Sequence, residues 1–290
     1  MPAANSNSSA PSAAGSAREF PFSDADFRFL RDVVKAETGI SLNEAKRELV
    51  YGRVSRRIRA LGLKGFAAYR ELLCSGDPQE FVEFTNALTT NLTSFFREPH
   101  HFDYLRDQFL LPRASDRSAA RRIRIWSSAC STGEEPYSIA MTVIEALPEW
   151  RQWDIKILAT DLDSAVLARA QAGRYPADRV RGLPGRRVAQ HFREIRQGRD
   201  SSYQVLPEVA GLITFKQLNL MHPLPMSGPL DVIFCRNVVI YFDKDTQRDL
   251  FGRMSKLQRP GDLLMLGHSE NLFKVCDDYT LIGKTIYRRN

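Results

Sequence analysis

The sequence predicts an α/β fold: a mainly parallel, doubly wound sheet, preceded by a small all-helical domain and interrupted by a small antiparallel β insertion. Over residues 116–290, short apolar stretches alternate with helical stretches, which is typical of βαβ units around a parallel sheet. Residues 20–90 show helical spacing without strand patterns. Residues 175–215 are interrupted by glycine and proline, and we expect the insertion there.

The N-terminal tail, the hydrophobicity and the cysteines indicate the cellular compartment of the protein. Residues 1–19 are rich in Ser, Ala, Pro, Gly and Asn, and we expect a disordered tail without a secretory signal. The most apolar long stretch, 230–242, contains three polar or charged residues and is too short to cross a bilayer, so we expect no membrane insertion. Four scattered cysteines indicate a reducing, cytoplasmic location and lack the spacing of metal ligands.

The helical domain carries a basic face. The apolar residues of 50–61 follow a 3.6-residue period, and Arg53, Arg56 and Arg59 fall away from that stripe. Residues 46–64 contain seven basic side chains and one acid, within a chain of net charge +7. We expect these three arginines to face outward, either as ordinary solvated surface or as a binding face for an acidic partner.

Residues 123–138 predict a buried strand, a tight turn of small residues and the acidic start of a helix. Such a turn lets a ligand approach the backbone at the N-terminus of the helix. Glu134 and Glu135 follow Gly133 directly, which disfavours a pyrophosphate and suits a cationic, hydroxyl-rich ligand such as S-adenosylmethionine. The two acids equally suit the positive end of the helix dipole, so the turn alone leaves both interpretations open.

The next predicted strand, 155–160, favours the ligand interpretation. It ends at Asp161, and an acid at this position of a doubly wound sheet typically holds the hydroxyls of an adenosine ribose. We assign Asp161 to the ligand. Asp163 is assigned to the N-cap of the following helix, 164–172.

Four segments in this order resemble the chemotaxis receptor methyltransferases of the CheR family, and the likeness extends from about residue 22 to the end of the chain. The segments are 91–97, 131–137, 234–243 and 267–270. The resemblance implies a Rossmann-like class I methyltransferase domain that uses S-adenosylmethionine and releases S-adenosylhomocysteine. It also implies the reaction: formation of glutamate methyl esters on the cytoplasmic methylation helices of bacterial chemoreceptors.

The resemblance assigns roles in the linker and connecting helix, residues 91–115. Asn91, Thr93 and Arg97 match positions that reach over the cofactor and the reacting centre. Arg97 would orient the incoming carboxylate through a bidentate contact. Without the resemblance, Asn91 and Thr93 would serve equally well as helix caps.

Further roles follow at two predicted strand ends. Asn219 and Leu220 match positions that border the adenine ring, although a polar residue at a strand end needs no ligand. Asn237 and Val238 match positions that touch the cofactor, and Tyr241 matches one close to the methyl group. The apolar residues around Tyr241 in the sequence alone would predict a buried core position for it.

The reaction that the resemblance implies needs no general base, because a glutamate with a pKa of about 4.3 is ionised at neutral pH. Arg97 and Tyr241 would align the reactants, and the basic face would attract an acidic receptor helix. Some family members bind a C-terminal receptor peptide through a loop with paired glycines. Residues 196–202 lack such a pair, so we expect recognition by the helical domain alone, by a monomer.

Two alternatives remain open from the sequence. A nucleic-acid methyltransferase would suit the sequence pI of about 9.3, but residues 235–238 do not form the Asn-Pro-Pro-Tyr type of loop, so we expect no nucleic-acid partner. A non-catalytic S-adenosylmethionine-binding regulator would not need Arg97 and Tyr241. His268, Ser269 and Glu270 end the last predicted parallel strand, and the sequence assigns them no role.

Overall fold

The structure, a computed structural model, describes residues 18–116, 120–198 and 200–290. Most of the expected disordered tail therefore lies outside the described residues. Arg18 and Glu19 are described, and their side chains pair with Glu48 and Arg59 of the helical domain. Within the described ranges, no helix combines the length and the hydrophobicity that crossing a membrane requires.

The N-terminal domain is helical, as expected. A capping box formed by Ser23 and Asp26 starts the first helix, and Gly39, at φ 72°, ends it. The helices pack around a core that includes Phe27, Ile58 and Phe84. They are α1 (Asp24–Thr38), α2 (Arg47–Ala60), α3 (Phe66–Cys74) and α4 (Pro78–Leu88), with a short 3-10 segment at Glu44–Lys46.

A continuous helical stretch connects the two domains. It consists of α5 (His100–Tyr104), a π-helical segment (Leu105–Leu110) and α6 (Leu111–Ser115). Leu105 and Leu110 are fully buried in the core of the second domain. The connecting helix is therefore part of the α/β layer rather than a free linker.

The second domain alternates strands and helices. Its elements in chain order are β1 (Arg122–Ser127), α7 (Glu134–Ala146), β2 (Asp154–Asp161), α8 (Ser164–Ala172), β3 (Arg174–Pro176), α9 (Ala177–Val180), α10 (Gly185–His191), β4 (Phe192–Gln197), β5 (Asp200–Val205), α11 (Pro207–Ala210), β6 (Ile213–Gln217), β7 (Val232–Cys235), α12 (Lys244–Ser255), β8 (Leu263–Leu266), β9 (Tyr279–Gly283) and β10 (Ile286–Arg289). Two 3-10 segments add to these, Trp150–Gln152 and Val239–Tyr241.

The main sheet confirms the predicted doubly wound α/β architecture. Its strand order is β6-β2-β1-β7-β8-β10-β9 among the described residues. The first five strands run parallel, and β10 pairs antiparallel with both β8 and β9. Side chains of β1 alternate between the two faces: Ile123 and Ile125 enter one hydrophobic cluster, and Trp126 enters the other.

The inserted antiparallel sheet is also present, but it is smaller than expected. It has the order β3-β5-β4, and it ends at Val205. We expected the insertion to extend over about residues 175–215. That was wrong for the last part, because β6 (Ile213–Gln217) pairs parallel with β2 at the edge of the main sheet.

Candidate active site

A cavity opens at the carboxyl ends of β1, β2 and β7, the edge where open α/β sheets bind ligands. The helical domain contributes Thr38, Ile40 and Leu42 to its wall. Five separate stretches of chain therefore bring their predicted site residues to one place. The nine predicted residues that line the cavity are Asn91, Thr93, Arg97, Glu135, Asp161, Leu220, Asn237, Val238 and Tyr241.

The turn between β1 and α7 depends on a glycine. Gly133 has φ 95°, in the left-handed region that favours glycine. A Cβ atom there would lie 2.9 Å from both the Cβ of Ala170 and the hydroxyl of Tyr175. Neither the backbone conformation nor the space admits a larger residue, so the start of α7 is closely defined.

Glu135 is the acid of this turn that faces the cavity. Its carboxylate accepts a 2.7 Å hydrogen bond from the hydroxyl of Ser127 and a 2.8 Å hydrogen bond from Arg236. Burial raises the pKa of Glu135, and the positive charge of Arg236 opposes that rise. The site thus holds a buried carboxylate whose charge is partly balanced.

The side chain of Glu134 is also buried, but it points away from the cavity. Its carboxylate accepts a 2.6 Å hydrogen bond from the hydroxyl of Thr132 and lies 3.4 Å from the guanidinium of Arg179. Among the described residues, Glu134 does not line the cavity. The structure therefore places Glu135 at the cavity and pairs Glu134 with a basic side chain.

Asp161 ends β2 at the floor of the cavity. Its carboxylate accepts hydrogen bonds from two backbone N–H groups, at 2.7 Å from Ser131 and 3.0 Å from Asp163. Burial raises the pKa of Asp161 to about 6, against the lowering effect of these N–H groups. Each oxygen keeps a lone pair that can accept a further hydrogen bond from a ligand.

Asp163 caps α8, as the sequence predicts. It accepts hydrogen bonds from the N–H groups of Ala165 at 2.9 Å and Val166 at 3.2 Å. Its second oxygen accepts a 2.7 Å hydrogen bond from the amide of Asn91. The capping residue therefore also anchors the predicted cofactor-binding residue Asn91.

Arg97 and Thr93 lie on the segment that covers the cavity. Arg97 donates a 2.8 Å hydrogen bond to the carbonyl of Leu92, and Arg179 donates one of the same length to the carbonyl of Thr93. The first bond folds the segment back on itself, and the second ties the segment to α9. Leu92 remains 76% exposed at the rim of the cavity.

The loop after β7 brings three predicted residues to the cavity. Asn237 adopts a left-handed conformation, with φ 57°, and Val238 follows it into the wall. Tyr241 ends the 3-10 segment, and its carbonyl accepts a 2.8 Å hydrogen bond from the N–H of Ser41 in the helical domain. The position of Tyr241 thus depends on both domains.

Two buried charges that sequence reasoning did not assign hold this region together. Arg236 pairs with Glu135 and lies 3.4 Å from Glu98, and it also donates to the carbonyl of Arg97. Glu270 accepts hydrogen bonds from backbone N–H groups of the loop after β7. The available signal was a charged residue close behind an apolar strand: Arg236 directly follows β7, and Glu270 comes four residues after the last residue of β8.

Leu220 lines the cavity, but Asn219 does not do so within the described part of the chain. The amide of Asn219 donates a 2.6 Å hydrogen bond to the carbonyl of Glu37, and its oxygen accepts one of 2.9 Å from the N–H of Met221. The Asn219 side chain thus lies outside the cavity wall in this structure, and its contact with the cofactor stays a prediction. The side chain joins the two domains.

The expectation that Arg53 faces outward is wrong, because its guanidinium points inward, toward the end of α4. It donates hydrogen bonds to the carbonyls of Ala87 at 3.1 Å and Thr89 at 2.5 Å, at the C-terminal end of α4. Burial lowers the pKa of Arg53, and the nearby hydroxyl of Tyr241 opposes that change. Arg53 therefore stabilises the junction beside the cavity rather than facing solvent.

Arg56 and Arg59 do face outward, as expected. The Arg59 guanidinium pairs with Glu19, 2.5 Å away, and the salt bridges of the described residues include none to Arg56. Of the three predicted substrate-binding arginines, Arg56 is thus the most available to a partner. The exposure of Arg56 and Arg59 fits an ordinary solvated basic surface as well as a binding face for an acidic partner.

A cluster of Glu98, His100 and His101 brings potential metal ligands within 4.8 Å of one another beside the cavity. Burial lowers the pKa of His101 to about 3. For Glu98, burial acts to raise the pKa, but the hydrogen bond with His268 and the charge of Arg236 lower it to about 2. The guanidinium of Arg236, 3.4 Å from Glu98, disfavours a cation in this cluster.

The donor set of the cavity fits a cationic ligand with hydroxyl groups. Asp161 and Glu135 supply buried carboxylates, and Asn91 and Asn237 supply amides. A doubly anionic ligand would meet both carboxylates in a medium of low dielectric constant. The positive sulfonium and the ribose of S-adenosylmethionine match these groups.

The sheet order and this cavity define a class I methyltransferase that uses S-adenosylmethionine. Comparison with family models agrees: residues 91–288 match the CheR methyltransferase SAM-binding domain, and residues 25–89 match the CheR methyltransferase all-alpha domain. The chain belongs to the CheR methyltransferase family.

Curated relatives cover nearly the whole chain. The chain is 44% identical to chemotaxis protein methyltransferase 2 of Pseudomonas aeruginosa over 96% of its own length and 98% of that protein. It is 45% identical to a probable chemotaxis protein methyltransferase of Rhizobium etli, over 88% and 96% of the two lengths. Identity to the Escherichia coli chemotaxis protein methyltransferase is 41%, over 91% of each chain. The resemblance inferred from the four sequence segments is confirmed.

Proposed function

We propose that this chain transfers a methyl group from S-adenosylmethionine to glutamate side chains of bacterial chemoreceptors, giving glutamate methyl esters. The observation that carries the proposal is that Arg97 and Tyr241 line the same cavity as Asp161 and Glu135. A substrate carboxylate that binds Arg97 would therefore lie beside Asp161 and Glu135, the two side chains that we assign to the cofactor. The family membership supports the same chemistry.

Bound S-adenosylmethionine supplies an electrophilic methyl carbon, and the carbon–sulfur bond breaks as a glutamate oxygen bonds to that carbon. The acceptor is ionised at neutral pH, so the protein need not remove a proton. Arg97 holds and orients the carboxylate, and Tyr241 restricts its approach to the line of displacement. Binding in the cavity removes water from both charged partners.

Cofactor binding is assigned to the predicted residues that line the cavity. Asp161 accepts hydrogen bonds from the ribose, and Glu135 balances the positive end of the ligand. Leu220 contributes an apolar surface for the adenine. The remaining contacts come from Asn91, Thr93, Arg97, Asn237 and Val238.

The substrate is the acidic methylation helix of a chemoreceptor, in the cytoplasm. Arg56 and Arg59 on the exposed face of α2 attract it, and the attraction weakens with salt. In this proposal the receptor is not tethered through a peptide bound to the small β insertion. The enzyme acts as a monomer. These assignments rest on charge and on the family.

A methyl-transfer assay tests the proposal. The purified chain is incubated with tritiated S-adenosylmethionine and receptor-containing membranes, with RNA as a parallel substrate. We expect base-labile label on receptor, released as volatile methanol, and at least a tenfold loss with Arg97→Ala, as removal of a charged hydrogen-bond donor allows. Arg248→Ala, an exposed arginine on α12, is the matched control. Label on RNA alone, or on neither substrate, would contradict the proposal.

A further inference from the structure

Five backbone N–H groups converge on one carboxylate in the turn that follows β8. Glu270 accepts from Val238 and Val239 at 2.9 Å and from Ile240 at 3.3 Å through Oε1. Its other oxygen, Oε2, accepts from Asn237 at 2.8 Å and Gly267 at 2.7 Å. The residue is only 5% exposed. Four of the five donors are consecutive residues of the loop after β7.

This arrangement needs two acceptor oxygens. An ionised carboxylate offers only acceptors, whereas a carboxamide of the same shape offers one acceptor and one NH₂ donor. With a glutamine here, either orientation would direct an NH₂ group at backbone N–H groups. The loop would then keep buried donors without partners, which is costly. The conformation of the loop therefore depends on both the charge and the shape of the Glu270 side chain.

The same loop carries residues of the proposed reaction. Asn237 holds its left-handed conformation while its N–H binds Glu270, and Val238 lines the cavity. Tyr241 follows directly after the last of the four donors. Space around the loop is also closed, because a Cβ on Gly267 would lie 2.3 Å from the Nδ2 of Asn237. A shift of this loop therefore displaces all three cavity residues together.

We propose that Glu270 is a positioning residue for methyl transfer: by binding the N–H groups of Asn237, Val238, Val239 and Ile240, its carboxylate sets where the cofactor contacts and Tyr241 stand in the cavity. The inference rests on the proposed function for its catalytic part. Its cofactor-binding part is independent of which molecule accepts the methyl group.

The test compares Glu270→Gln with Asp262→Asn in the full-length protein. Asp262 is a buried acid at the opposite end of the same strand, where it accepts from the N–H of Arg259 at 2.7 Å. Both variants remove one buried charge, but only Glu270 touches the loop. Calorimetric titration with S-adenosylhomocysteine and single-turnover methyl transfer to receptor are measured well below each melting temperature.

We expect Glu270→Gln to weaken S-adenosylhomocysteine binding at least tenfold and to slow methyl transfer by up to about 100-fold, the scale of a misplaced reacting group. Asp262→Asn should lower only the melting temperature and leave both constants within about twofold. A folded Glu270→Gln protein with wild-type affinity and rate would overturn the inference. Wild-type protein that binds the ligand but methylates no receptor would instead refute the proposed function.

Amide hydrogen exchange in the wild-type protein decides the case if Glu270→Gln does not fold. The N–H groups of residues 237–240 should be protected, because Glu270 is their acceptor in the folded protein. Exchange of these four amides at unprotected rates would show that the carboxylate does not hold the loop.

Discussion

The guanidinium of Arg236 donates a 2.8 Å hydrogen bond to the buried carboxylate of Glu135, 101 positions earlier in the chain. This bond joins the end of β7 to the start of α7. Arg236 also lies 3.4 Å from Glu98 and is itself buried. One side chain thus balances Glu135 in the wall of the cavity and Glu98 beside it.

Arg236→Met should destabilise the fold strongly, because it leaves the buried Glu135 and the partly buried Glu98 without their counter-charge. We expect the free energy of unfolding to fall by about 3–5 kcal/mol. Urea denaturation followed by circular dichroism measures it. Arg248→Met removes an exposed arginine paired with Asp245 and should change stability by less than about 0.5 kcal/mol. Equal losses in the two variants would contradict the role of Arg236.

Ligand affinity should depend on pH through Asp161, whose pKa is raised to about 6. The ribose hydroxyls need an ionised acceptor, so affinity is full above this pKa and is lost below it. The ionised fraction falls from about nine-tenths at pH 7 to about one-tenth at pH 5, a loss of about tenfold. Calorimetric titration with S-adenosylhomocysteine across this range measures it. Asp161→Asn should bind weakly at every pH, whereas constant wild-type affinity would exclude the role of Asp161.

Arg53→Ala and Arg56→Ala should differ, although both arginines lie on α2. The first removes charge-assisted hydrogen bonds to the carbonyls of Ala87 and Thr89, which should cost about 1.5–3 kcal/mol of stability. The second should leave stability within about 0.5 kcal/mol and lower the methylation rate at low ionic strength. Thermal melts and rates at several salt concentrations separate the two. Salt-independent rates in Arg56→Ala and wild type alike would remove the steering role.

Tyr241→Phe isolates the hydroxyl of Tyr241 from its packing. The backbone carbonyl holds the bond to Ser41, so the loop should stay in place without the hydroxyl. If the hydroxyl donates one hydrogen bond to the bound reactants, as the proposed alignment role implies, we expect kcat to fall about tenfold, with unchanged affinity for S-adenosylhomocysteine. Stopped assays and calorimetry give the two constants. A parallel loss of affinity would place Tyr241 in cofactor binding instead.

The residues that sequence reasoning located correctly are those set by local pattern. Asp161 follows a strand pattern, and Asp163 precedes a helix pattern, so each position was predictable from its neighbours. The turn at Gly133 was readable for the same reason. Parallel strands then bring such ends to one edge without any knowledge of the side-chain contacts.

The contacts that sequence reasoning missed join distant segments. Periodicity puts Arg53 on the polar side of α2, but only the tertiary structure shows that the end of α4 lies on that side. Asn219 likewise binds Glu37, 182 positions away. For Glu270, the four loop donors lie 30 to 33 positions earlier, and a single sequence contains no signal of that pairing.

The shared wall of the cavity has a consequence for engineering. Because Thr38, Ile40 and Leu42 line the cavity proposed to hold the methyl donor, and the N–H of Ser41 binds the carbonyl of Tyr241, the N-terminal helical domain cannot be exchanged without affecting that cavity. A chimera that grafts this domain from a relative to redirect receptor choice would also rebuild part of that cavity. Such a graft should retain the recipient's own residues 38–42 and exchange only the outer surface of α2.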